Sequence, residues 1–154
     1  MKFKFIFFII IIYSNIYSQD LNHLAKQDTI YLALKDIHTS FSKQYKGFEY
    51  VSTVHPNFAE YQIIEPNGKL IVIHAAKPCP LLRVKSKKFL KKNGLNIINL
   101  EYVDKIGVSK LFPETLGLIN PSRKIFFIFD EEHLKKKYVN LKQVDVVAVF
   151  YSKI

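Results

Sequence analysis

The stretch Ala59-Glu-Tyr-Gln-Ile-Ile-Glu65-Pro66-Asn67-Gly68-Lys69-Leu-Ile-Val-Ile-His74-Ala-Ala76 sets two apolar-rich runs on either side of a turn. Pro66 presets φ for the first turn position, Asn67 tolerates the second, and Gly68 supplies the left-handed residue that closes a three-residue hairpin with a bulge. Folding about this turn pairs Glu65 with Lys69, Ile63 with Ile71, Tyr61 with Ile73 and Ala59 with Ala75 on one face. That face is apolar apart from the charge pair beside the turn. The other face pairs Ile64 with Leu70, Gln62 with Val72 and Glu60 with His74, so it is half polar and sets His74 opposite a carboxylate near the strand end.

Outward from the hairpin, Asp28 to Leu34 is β-rich and bounded by charges, which predicts a first strand after a polar lead-in from Gln19 to Gln27. Ser40 to Gly47 reads as a polar turn. Beyond the corner Pro78-Cys79-Pro80, Ser86 is placed to cap a short helix through Lys92, with Asn93-Gly94 as a left-handed stop. Leu95 to Ile98 reads as a strand, and Asn99 caps a second short helix that ends at Gly107. A loop containing Phe112-Pro113 and Asn120-Pro121 leads to Lys124-Ile-Phe-Phe-Ile-Phe129, an apolar run of strand length that predicts a central strand buried on both faces. Asp130 then caps a helix over Glu131 to Tyr138, with Glu131 and Glu132 at its positive end and Lys135 to Lys137 at its negative end. Val144 to Tyr151 closes the chain as a strand. This order predicts an α+β fold: a small mixed or mostly antiparallel sheet including the hairpin at 59–76, with two or three short helices.

At the start of the chain, Lys2 and Lys4 precede nine apolar residues, Phe5 to Tyr13, and a polar exit at Ser14, Asn15 and Ser18. Basic start, apolar centre and small-residue end form the pattern of an export signal, expected to be cut between Ser18 and Gln19. The run is shorter than the ~20 residues a membrane-spanning helix needs, and no later stretch approaches that length, so no transmembrane helix is expected in the mature chain. The leader, 1–18, is thus set apart from one domain over 19–154, with no repeat or low-complexity tract inside it. Localisation follows as periplasmic or secreted.

The whole chain carries a net charge of +10; taking away the two leader lysines leaves 21 basic against 13 acidic residues, or +8. All the basic residues except Arg83 and Arg123 are lysines. Lysine is a solvated point charge without the planar fork used for base recognition, which argues against specific nucleic-acid binding. Five glycines and the absence of a Gly-rich phosphate loop, a Gly-x-Ser-x-Gly elbow, His-Glu-x-x-His or a paired Cys motif leave no cofactor to expect.

Four groups of residues bear chemistry. Cys79, the one cysteine, supplies with His55 or His74 the raw material of a Cys-His nucleophile, but Pro78 and Pro80 remove backbone N–H donors beside it. His38, His55, His74 and Cys79, with Asp36 and Glu60, lack the tight spacing of metal ligands, so no metal is expected. Glu60 with His74 reads first as a surface pair, and as an acid-base pair only if a pocket surrounds it. Arg83, Lys85, Lys87, Lys88, Lys91 and Lys92 place six cations in ten residues without an acid, a candidate contact for an anionic surface or polymer. Lys135 to Lys137 are accounted for by the helix dipole. The expectation is therefore an exported, non-enzymatic binding or interaction module with a basic surface; its rival is an exported hydrolase or thiol enzyme using Cys79 with His55 or His74.

Overall fold

Inward-facing Tyr61, Ile63, Ile71 and Ile73 are almost completely shielded from solvent in the computed structural model, which describes residues 21–76, 80–115 and 124–150. The leader and Cys79 lie outside these residues. The hairpin strands are β4 (Phe58–Ile64) and β5 (Lys69–Ala76), and their register is the one the turn dictates, with Glu60 opposite His74, Tyr61 opposite Ile73 and Ile63 opposite Ile71. Gly68 takes a φ of 86°, and the Glu65 N–H donates to the Lys69 carbonyl across the turn.

The sheet that holds this hairpin is not small. Before it run β1 (Thr29–Leu34), β2 (Phe41–Gln44) and β3 (Glu49–Val54). After it come β6 (Leu81–Lys85), β7 (Ile97–Asn99), β8 (Ile125–Asp130) and β9 (Tyr138–Phe150). All nine join one mixed sheet in the order β2-β3-β4-β5-β9-β8-β1-β7, with β6 also paired to β9, and the sheet curls strongly into a half-barrel. The correction has three physical sources. Phe41 to Gln44, expected as a turn, forms the polar edge strand β2 against β3. Leu81 to Lys85 pairs along β9 although it is mostly exposed. The helix expected over Glu131 to Tyr138 stops as a 3₁₀ turn at Lys135, and Tyr138 onward extends β9 to 13 residues.

Helices are few and short among the described residues: α1 (Leu21–Ala25), α2 (Ser86–Asn93) and α3 (Leu100–Ile106), with a 3₁₀ turn at Gly94–Asn96 and a π-helical turn at Lys110–Thr115. None is long and apolar enough to cross a membrane. Asn99 caps α3 as its sequence position demands, accepting from the Tyr102 N–H at 2.8 Å, and Gly107 ends it at a φ of 94°. The stop at Asn93-Gly94 differs from expectation: Gly94 keeps a right-handed φ of −54° and leads into the 3₁₀ turn. Lys124 donates its ammonium to the carbonyls of Leu24, Ala25 and Gln27, so a cation satisfies the end of α1 where that helix would otherwise leave acceptors open.

Strand β1 lies between β7 and β8 and runs parallel to both, while every other pairing is antiparallel. It is buried on both faces. Ile30, Leu32 and Leu34 join the main core with the hairpin, Leu100, Val103 and Phe112, and Ala33 joins a second core of Phe89, Ile97, Phe129, Val139 and Leu141 beneath α2. Three inward polar groups tie the segment after β1 to the antiparallel strands. Tyr50 donates to the Lys35 carbonyl at 3.2 Å, Tyr61 to the Ile37 carbonyl at 2.9 Å and Ser52 to the Thr39 carbonyl at 2.8 Å. Burial raises the Tyr50 phenol well above its ordinary pKa, so it stays a donor at every physiological pH.

Replacing Tyr61 by Phe leaves the buried Ile37 carbonyl without its donor and should lower unfolding stability by ~1–2 kcal/mol, whereas Val147→Ala, at a side chain 53% exposed, should stay within ~0.5 kcal/mol of the parent. Urea denaturation with an unchanged m-value checks both.

Candidate functional site

The parallel trio ends in charge. Lys35 follows β1, Asn99 ends β7, Asp130 ends β8, and the register aligns Leu34 with Asp130 and Ala33 with Asn99. Lys35 Nζ lies 3.5 Å from Glu101 and 3.7 Å from Glu131, and Glu131 also accepts from the Asn99 amide at 3.3 Å. Burial opposes the charged form of Lys35, but the neighbouring Tyr45, Glu131 and Glu101 outweigh it and raise its pKa above the ordinary 10.5. The ammonium is therefore charged throughout the neutral range. Tyr45 reaches the same region from the β2–β3 turn, which is held to α3 by the Gly47 N–H donating to Asp104 at 2.9 Å. Burial raises its phenol, Lys35 opposes the rise, and its oxygen is buried with no hydrogen-bond partner among the described residues.

These strand ends open into a cavity of about 1120 Å³. Its lining adds Asp36, Asp130 and Glu132 to the pair Glu101 and Glu131, and Lys91, Lys92 and Lys135 to Lys35. Asp36 adopts a left-handed φ of 52°, which Asp tolerates better than most side chains and which turns the chain sharply out of β1. Ligands of open α/β sheets bind outside the carboxyl ends of parallel strands, and this cavity occupies that position. None of its strand-end residues carries a motif, and only the assembly of β1, β7 and β8 brings them together.

A second cavity, about 370 Å³, is lined by Arg83, His133, Lys136, Lys137, Tyr138 and Asn140. It exists because β6 pairs with the start of β9, setting Arg83 opposite Asn140 and Lys85 opposite Tyr138. The Arg83 guanidinium sits 4.2 Å from the Tyr138 ring centroid and the Lys137 ammonium 5.6 Å from it. Ser86 fastens the adjoining turn by donating its hydroxyl to the Lys136 carbonyl and its N–H to the Lys137 carbonyl. No carboxylate lines this space, and its cationic and amide groups can donate to an oxyanion.

Of the basic run, Lys87, Lys88, Lys91 and Lys92 are exposed on the outer side of α2, while Ser86 and Phe89 are buried beneath it. None of these four forms an ion pair among the described residues. Arg83 joins the turn lysines in the small cavity, Lys91 and Lys92 reach the large one, and Lys85 is exposed on β6. Lys136 and Lys137 do not complement a helix dipole, as they follow a 3₁₀ turn and lead into β9.

The hairpin candidates stand apart from both cavities. Glu60 is opposite His74 and His74 is opposite Asp145, so an imidazole stands between two carboxylates in one cross-strand row. His74 stacks on Phe58, which stacks on the exposed His55, with centroids 5.8 and 5.0 Å apart. Glu60 accepts from Gln62. Neither histidine lines a described cavity, and His38 is exposed beyond β1. Among the described residues no three of His, Cys, Asp and Glu gather as a metal-holding group.

No family model, curated protein or solved structure matches this chain, so its functional reading rests on its own geometry.

Burial lowers the pKa of His133 from its ordinary 6.5, helped by Lys136 and His38 and opposed by Asp130 and Glu132. Its neutral form is favoured in the fold, so the stability it contributes is present above pH 6.5 and is lost as pH falls toward the depressed native value. The thermal midpoint should drop between pH 7.5 and 5, and the drop should be smaller in His133→Gln.

Proposed function

We propose that this chain is an exported, non-enzymatic binding module that engages an anionic surface or polymer through its basic face. The observation that carries the reading is the convergence of Arg83, Lys136 and Lys137 on one cavity without a carboxylate. Stacking on Tyr138 restrains the Arg83 side chain, which reduces the entropy lost when its guanidinium engages an oxyanion. The four lysines of α2, none in an ion pair among the described residues, add a long-range attraction for an anionic partner. Export is part of the proposal through the leader pattern of residues 1–18, and sequencing the N-terminus of protein recovered outside the cytoplasm should begin at Gln19.

The test is binding to anionic liposomes and to heparin, repeated at low and high salt. Association should be measurable at low ionic strength and weaken steeply as the Debye length falls from ~10 Å at 0.1 M to ~3 Å at 1 M. Replacing Lys87, Lys88, Lys91 and Lys92 together by Gln should weaken binding by about ten-fold or more, from the loss of four charges each worth a few tenths of a kcal/mol. Arg83→Lys keeps the charge and loses the planar fork, so it should weaken binding while leaving the salt dependence nearly unchanged. Salt-insensitive binding, or none, overturns the proposal.

A further inference from the structure

The larger cavity divides its charges in a way that anion binding at Arg83 does not use. The strand ends contribute Asp36 and Asp130, the start of the 3₁₀ turn adds Glu131 and Glu132, and α3 adds Glu101, with Lys35 bridging Glu101 and Glu131. The opposite sign comes from Lys91 and Lys92 at the end of α2 and from Lys135 at the far end of the same 3₁₀ turn, and none of these three forms an ion pair among the described residues. Leu90 and Leu134 add apolar lining and pack on the second core.

The 3₁₀ turn Glu131–Lys135 sets the spacing between the two signs. Such a helix rises about 2.0 Å per residue, so its first and last residues stand about 8 Å apart along the axis. An extended peptide covers about 3.3–3.6 Å per residue, so two or three residues bridge that interval. A ligand with one charge only would place like charges together at one end, whereas a short zwitterion satisfies both. The volume leaves room for side chains, since small-molecule sites typically measure about 300–1,000 Å³ and this one slightly exceeds them.

We propose that this groove binds a di- or tripeptide with free termini, its ammonium held among Asp36, Asp130 and Glu131 and its carboxylate by Lys91, Lys92 and Lys135. The apolar side chains of the peptide rest on Leu90 and Leu134.

The probe is the tripeptide Ala-Leu-Ala, compared with its N-acetyl and C-amide forms in amide NMR titrations of the purified protein. Unmodified peptide should shift Leu90, Leu95 and Leu134, and either cap should weaken binding about five-fold or more, as expected for the loss of one charged contact. Asp36→Asn, which keeps a side chain tolerant of left-handed backbone, should shrink the penalty of the N-acetyl cap and leave that of the C-amide unchanged. Lys135→Ala, outside the lysine face of α2, should shrink the penalty of the C-amide and leave that of the N-acetyl cap unchanged. Dispersion in the same spectra reports whether each variant is folded, and the cap penalties on the parent protein decide the matter if one is not. Equal binding of capped and free peptides, or no shift in the groove at millimolar peptide, overturns the proposal.

Discussion

Strand β9 is the constraint on which the architecture turns. Its 13 residues extend about 43 Å, longer than the 3–10 residues usual for a strand, and its backbone is shared among β5, β6 and β8. Lys142 pairs with Leu81 and with Ile128, so β6 and β8 flank β9 on opposite sides at that point. Beyond it, Asp145 to Phe150 serves the hairpin strand β5. A strand this long accumulates twist along its length, and a sheet built on it curls. Strands β2 to β5 and the parallel trio thereby meet around one core, with Tyr61 and Ile73 packed in the same cluster as Leu32 and Ile128.

Both cavities are products of that arrangement rather than of local motifs. The smaller cavity requires β6 beside the first residues of β9, since that pairing brings Arg83 to Tyr138. The larger groove requires three parallel strands to end at one level, which places Lys35, Asn99 and Glu131 within contact range. The segment from Lys35 to Thr39 is fixed in turn by Tyr50, Ser52 and Tyr61, whose polar atoms reach out of the core to its carbonyls. Core side chains of the antiparallel strands thus position the charges at the mouth of the parallel ones.

The elements legible in the sequence are those whose signals are local. Pro66-Asn67-Gly68 specifies a turn, and the flanking alternation then fixes every pair of the hairpin. Asn99 and Gly107 bound a helix through capping, and the run Ile125 to Phe129 reads as a buried strand from its continuous apolarity. The segments that escaped are those whose structure depends on a partner. Strand β2 is polar and exposed, so nothing but its neighbour β3 makes it a strand. Glu49 to Val54 does carry alternation, with Tyr50 and Ser52 inward, but a buried serine disguises it. Asp130 does cap the turn that follows, yet pairing along β6 and β8 claims the next residues before a helix can continue. For the sites, Arg83 was visible within its basic run, whereas Lys136 and Lys137 were hidden behind a dipole explanation that needs a helix the chain does not form. The strand-end charges had no sequence signal at all, because proximity across β1, β7 and β8 is not periodic.

The placement of β1 also bears on the entropy of assembling the sheet. It is among the first described elements of the chain, yet Tyr31 must wait for Ile97 and Thr29 for Ile125 before either parallel pairing can form. Strands β2 to β5, by contrast, connect neighbours through short turns, so their loop-closure entropy is small and they can pair early. Loop-closure entropy therefore disfavours early capture of the N-terminal strand, whose partners come from the distal half of the chain. Until that capture the faces meant for Ile30, Leu32 and Leu34 stand uncovered, which makes the interval before closure the period when this chain is most exposed to misassembly.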